Sequence, residues 1–257
     1  MLPDDPNWQM TVLFLLALAL LGFVMKLAVL LLPARGQIQR HAISWVLVSP
    51  DSVLRAKPAT GVGPAVLRIL MLSGVVAFSY WIYWPWVLGF QIRGIFLSYL
   101  AAPFLLLVGV WLVAIVNLLL LPGGYLLPPV HHRSWAARSV ADFWGHRWNL
   151  WFRDWFRYAI FNRLRRHPIF ALFLVFAASG LMHEWVINLP LYFLTGKARF
   201  GTMMIYFLIQ PVGILGERRF LKNHPRLDRV FVWLVVLAPV PLVLNEGLLR
   251  VLHLWPE

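Results

Sequence analysis

A chain of 257 residues that is 61% hydrophobic and 13% charged departs from soluble domains, which are about half apolar and a quarter charged, and its apolar runs leave no stretch for a separate water-soluble core. The formal charge of +13 lies between apolar runs rather than in one tail or stripe, which argues for membrane topology and against nucleic acid as a partner. With no cysteine there is no disulfide framework, no thiolate nucleophile and no acyl-cysteine intermediate.

The chain reads as one all-α domain over residues 1–257, a polytopic transmembrane helical bundle of about six spans with interfacial or re-entrant helices. Asp4 and Asp5 precede the first apolar run without any Lys or Arg, unlike the basic start of a cleaved signal peptide. That run, 11–32, is interrupted only by Lys26, whose long stem is expected to snorkel toward the nearer interface. Pro33 ends it, and the short apolar patch 42–48 that follows is too brief to cross a bilayer. The second span, 69–90, crowds Tyr80, Trp81, Tyr83, Trp84 and Trp86 at its far end as an aromatic belt does. The third, 95–121, carries Pro103 and Asn117 and closes on Pro122-Gly123-Gly124.

Apolar character then drops, and 125–168 holds eight arginines offset only by Asp142 and Asp154. Three further spans follow at 169–189, 200–216 and 230–249, the last two bent by Pro211, Pro239 and Pro241. Lys and Arg number five in 33–68, eight in 122–168 and five in 217–229, against four in the alternate loops. By the positive-inside rule both termini face outward and the Arg-rich segment faces the cytoplasm. The membrane is the inner membrane of a bacterium or the endoplasmic reticulum of a eukaryote.

The candidate chemistry lies in 142–184. If 142–157 forms one helix, Trp144, Trp148, Trp151 and Trp155 share a stripe opposite Asp142, Asn149 and Arg153. An amphipathic helix in the membrane interface has the same pattern. His183 and Glu184 are different, because ionisable groups inside an apolar span are costly and face a cavity or a partner. Ser179 lies one turn earlier on the face of His183. Glu184 points about 100° away, equally suited to catalysis or to pairing with a basic residue from another span. His183-Glu184-Trp185-Val186-Ile187 lacks the second His of the zinc protease signature, so no metal site is expected. His131-His132, in a Pro-bounded loop, reads as solvent-exposed.

Asp142-Phe143-Trp144-Gly145-His146-Arg147-Trp148-Asn149, followed after a basic segment by Ser179-Gly180-Leu181-Met182-His183-Glu184, resembles the membrane-bound O-acyltransferase superfamily and its wax synthase branch. The resemblance implies a helical fold enclosing a chamber, and transfer of a fatty acyl chain from acyl-CoA, a co-substrate with no other cofactor, to the hydroxyl of a lipophilic alcohol among membrane lipids. It implies His183 as the catalytic histidine and Asn149 as the second family residue. Asp142, Trp144, Arg147, Trp148, Arg153, Ser179 and Glu184 are the accompanying substrate-binding candidates. Within the enzyme class a sterol, glycerolipid or glycan acceptor is left open. From another class, a small transporter using His183 and Glu184 as a proton relay is the alternative, against which stands the lack of an internal repeat.

Overall fold

The computed structural model describes residues 5–31, 57–58, 62–90, 94–120, 125–221 and 225–255. The apolar patch 42–48 and the Pro122-Gly123-Gly124 closure lie outside these. Among the described residues four helices are long and apolar enough to cross a membrane: α1 (Pro6–Leu31), α2 (Val62–Gly89), α3 (Ile95–Leu120) and α6 (Pro168–Thr195). Among the described residues the only extended pairing is a two-residue antiparallel bridge, Lys57–Pro58 against Tyr125–Leu126. The protein is an all-α integral membrane bundle.

The first three spans are apolar nearly all round, the pattern of a helix surrounded by lipid and protein rather than of one lying on a water-facing surface. α2 is the extreme case, with no buried residue in Val62–Phe78 and with Leu70, Met71, Phe78 and Trp81 exposed. Such a surface suits hydrocarbon and would aggregate in water. In α1, Lys26 departs from the snorkelling expectation: it is buried beside Met25 and Val29, where Trp155 and Phe156 pack against α1 and Trp155 Nε1 donates to the Met25 carbonyl at 3.2 Å.

Two spans contain a widened turn, Ser79–Tyr83 in α2 and Glu184–Asn188 in α6. Both stand just before a proline, Pro85 and Pro190, which lacks an N–H and crowds the carbonyl four residues earlier, so the regular ladder opens there. The second of these turns begins immediately after His183.

Two short helices separated by a break precede α6: α4 (Val140–Asp142, continuing through Phe143–Arg147) and α5 (Leu150–Phe156, continuing through Arg157–Phe161). α7 (Thr202–Phe220) follows α6 after Gly196 and Gly201, both at positive φ, where glycine turns the chain without steric cost. α7 packs on α6 more extensively than any other described pair. The approach is close at Gly180, where a Cβ would stand 2.9 Å from the Met204 Cα.

The expected sixth span is not one continuous helix. α8 (Pro225–Leu237) ends after 13 residues, about 20 Å at ~1.5 Å per residue and short of the ~30 Å hydrocarbon layer. Pro239 and Pro241 fall in the tight turn Val240–Leu242 and its approach, and α9 (Glu246–Val251) follows. Two prolines two residues apart end the helix rather than bend it, since each removes a ladder bond and sterically blocks the preceding turn. α9 packs on α1 and on the widened turn of α6.

Candidate active site

The first motif starts with a well-made cap. Ser139 Oγ accepts the Asp142 N–H at 2.9 Å, the usual way an N-cap serine satisfies an orphan donor. Glu217, from the far end of α7, accepts the buried Val140 N–H at 2.5 Å. Asp142 folds back onto its own motif, its Oδ2 accepting Arg147 Nε at 2.6 Å and the Arg138 N–H at 3.0 Å.

The motif does not continue as one helix to 157. Trp148 is extended, at φ −108° and ψ 134°, and Asn149 is left-handed, at φ 40° and ψ 58°. This break dissolves the expected tryptophan stripe. Trp144 meets Phe176 and Phe207 edge-on or tilted, at centroid distances of 5.5 and 6.0 Å. Trp148 stacks on Phe143 at 5.4 Å. Trp151 Nε1 donates to the Pro128 carbonyl, whereas Trp155 turns to α1. Arg153 does not project outward on a polar face: it is partly buried, donating to the Gly145 carbonyl and pairing with Asp154, both at 2.6 Å. The charge-assisted bond to Gly145 clamps α5 back onto the motif, and Asp154 in the same helix neutralises the guanidinium.

The His131-His132 loop also departs from expectation. His132 is exposed, but the His131 ring packs against Trp148 at 4.3 Å, and its Nδ1 accepts the Asn149 N–H at 3.2 Å. Burial pushes its imidazole pKa down to about 4. The Asn149 side chain makes no helix-capping bond, an unusual use of asparagine at a helix start.

The second motif presents a histidine in a defined tautomer. His183 Nδ1 lies 2.7 Å from the Ser179 carbonyl oxygen; a carbonyl can only accept, so Nδ1 carries a proton, and in the neutral ring Nε2 keeps its lone pair. Ser179 thus contributes its backbone. The His183 ring packs at 4.4 Å on Phe207.

Among the described residues Glu184 pairs with amides and not with a basic side chain. Its Oε1 accepts the Met203 and Met204 N–H groups at 3.0 and 3.3 Å, and its Oε2 accepts Asn188 Nδ2 at 2.6 Å. A carboxylate at the start of α7 satisfies orphan donors and meets the positive end of the helix dipole. Asn188 Oδ1 then accepts Asn245 Nδ2 at 2.8 Å, and the Asn245 side chain caps α9.

Among the described residues no hydrogen bond, ion pair or ring contact joins Asn149 directly to His183; α7 connects their surroundings. Met203, Phe207, Gln210, Ile214 and Glu217 recur at spacings of four and three, which is one helical face. Along that face Met203 meets Glu184, Phe207 touches both His183 and Trp144, Gln210 Oε1 accepts Trp144 Nε1 at 3.0 Å, and Glu217 caps α4. By its apolar run alone this segment reads only as a span. The signal that would have found the face is the pair of polar residues, Gln210 and Glu217, two turns apart in an apolar run.

A transmembrane helix bearing a histidine, cross-braced to an aromatic and arginine-rich segment, is the class of structure these features define. Residues 127–209, which hold both motifs, match the Membrane bound O-acyl transferase family. Similar proteins include Probable long-chain-alcohol O-fatty-acyltransferase 7 of Arabidopsis thaliana, 28% identical over 44% of this chain and 36% of its own. Probable long-chain-alcohol O-fatty-acyltransferase 9 of the same plant is 30% identical over 47% of this chain and 36% of its own. Diacylglycerol O-acyltransferase 1 of Dictyostelium discoideum is 27% identical over 44% of this chain and 18% of its own. The matched stretches thus span about a third or less of these relatives' length.

Proposed function

We propose that the protein is an acyl-CoA-dependent O-acyltransferase that moves a fatty acyl chain onto the hydroxyl of a long-chain alcohol within the membrane. The observation that carries this reading is the tautomer of His183. With Nδ1–H held by the Ser179 carbonyl, Nε2 is free to take the alcohol proton as the oxygen attacks the thioester carbonyl. The alkoxide-carbonyl bond forms, the C–S bond breaks, and CoA leaves as the thiolate that the imidazolium protonates. No acyl-enzyme is needed. The side-chain amide of Asn149 donates to the developing oxyanion or holds the donor. Glu184 is assigned a supporting role, since its oxygens already serve α7 and Asn188.

Donor recognition is assigned to the Arg-rich side. A cleft of about 390 Å³ is lined by His132, Arg133, Arg138, Arg147 and Arg229 together with Trp233, and Trp233 in turn packs on Phe143 of the motif. Arg163, Arg165 and Arg166 are exposed beyond α5. Such cations suit the phosphates of a CoA donor arriving from the cytoplasm. The similarity to a diacylglycerol O-acyltransferase favours a glycerolipid hydroxyl as the second choice of acceptor. Purified protein incubated with labelled palmitoyl-CoA and a panel of long-chain alcohols, sterols and diacylglycerol should form labelled ester, with the alcohol preferred. Ester formed only on diacylglycerol replaces the acceptor, and no ester on any of them removes the reading.

A further inference from the structure

We propose that His131 is a positioning residue for Asn149, its Nδ1 accepting the Asn149 backbone N–H and so fixing the left-handed turn from which the Asn149 amide is presented. The inference rests on the role given to Asn149 above. The residues around the break would otherwise run on as one helix, and a left-handed conformation is unfavourable for any residue but glycine, although asparagine tolerates it best. Something outside the segment must hold the turn. The preceding loop does so with a series of bonds: the His132 N–H and Ser134 Oγ donate to the Arg147 carbonyl at 2.8 and 3.1 Å, the Leu150 N–H donates to the Val130 carbonyl at 2.8 Å, and Trp151 Nε1 donates to the Pro128 carbonyl at 2.9 Å. At Asn149 itself the acceptor is a side chain, His131 Nδ1, at 3.2 Å.

An imidazole nitrogen accepts only when unprotonated, so this bond requires neutral His131 with its proton on Nε2. Burial favours that form. The ring face is used as well, packed on Trp148, which itself stacks on Phe143. His131 therefore touches the residues on both sides of the peptide bond that enters Asn149. Released from the imidazole, that peptide can rotate and carry the side-chain amide away from the thioester, and small misplacements of a catalytic group are costly in rate.

Two substitutions separate the acceptor from the packing. His131→Phe keeps a ring against Trp148 and removes the acceptor; His131→Asn loses the ring and places its Oδ1 near the position of Nδ1. With palmitoyl-CoA and hexadecanol, His131→Phe should lower kcat by about 10-fold or more, with His131→Asn closer to wild type. A role in packing alone gives the opposite order and overturns the proposal. Combining His131→Phe with Asn149→Ala should cost no more than Asn149→Ala by itself, because the histidine acts only through the asparagine; losses that multiply also overturn it. Hydrogen exchange at the Asn149 amide gives a readout independent of turnover, and should be faster in His131→Phe than in wild type or His131→Asn. If wild type transfers no acyl group to any acceptor, the functional reading falls and exchange alone decides: equal protection in wild type and His131→Phe rejects the positioning role.

Discussion

His183 is held by its own helix, one turn from the carbonyl that fixes its tautomer, whereas Asn149 is held at a left-handed break by a loop 18 residues earlier. The first arrangement uses local geometry that any helix provides; the second exists only because distant segments meet. The difference teaches where each half of the site is vulnerable. Damage to His183 should be chemical, and damage to Asn149 should follow from many substitutions that never touch it.

The largest effect is expected at the locally held group. His183→Ala should lower kcat on the order of 10² to 10⁴ while the purified protein elutes like wild type and still binds a non-hydrolysable acyl-CoA analogue. Near-normal turnover would return His183 to a structural part. At the break, Asn149→Gly keeps a backbone suited to positive φ and deletes only the amide, so its kcat should fall about 10²-fold. Asn149→Ala should lose in addition about 1 kcal/mol of stability, because alanine resists the left-handed region. A glycine variant with normal turnover would mean that the turn matters and the amide does not.

Smaller effects test the brace between the two regions. Gln210→Leu strands Trp144 Nε1 and removes donors from the Tyr206 and Val235 carbonyls, with an expected loss of about 1–3 kcal/mol in chemical unfolding. Gly180→Ala drives a methyl against the Met204 backbone, where relief requires α6 and α7 to separate; a loss of about 1–3 kcal/mol should come with reduced turnover, since Phe207 moves relative to His183. An unaffected Gly180→Ala variant would show that the helix pair is looser than its spacing.

A further effect concerns pH. The folded-state pKa of His131, about 4, lies below its ordinary 6.5, so on acidification the unfolded turn binds the proton first. The contribution of His131 to stability is then complete above about pH 6.5 and declines as pH falls toward 4. Thermal melting of wild type should decline more over that window than melting of His131→Phe, which carries no titrating group there. Equal declines would place the acid sensitivity elsewhere.

Legibility followed the same division. Composition and apolar run lengths were enough to establish a helical membrane protein, because the cost of an unsatisfied backbone in lipid leaves few alternatives. The run 169–189 and the place of His183 in it were readable for the same reason, and so were the two motifs with their order. Helical periodicity failed at 142–157, where Trp148 and Asn149 leave the helix; that break comes from hydrogen bonds with the 128–134 loop, which no local pattern contains. For Glu184 regular spacing says nothing of its partners, the Met203 and Met204 amides of α7. Tertiary packing alone decided that α7 braces both motifs, that Arg153 turns inward, and that His131 lies under Asn149 instead of in solvent. The sequence determined which groups carry polarity into the membrane, because that cost is paid residue by residue; their partners were decided by the fold, because hydrogen bonds and ring contacts join residues that only close packing brings together.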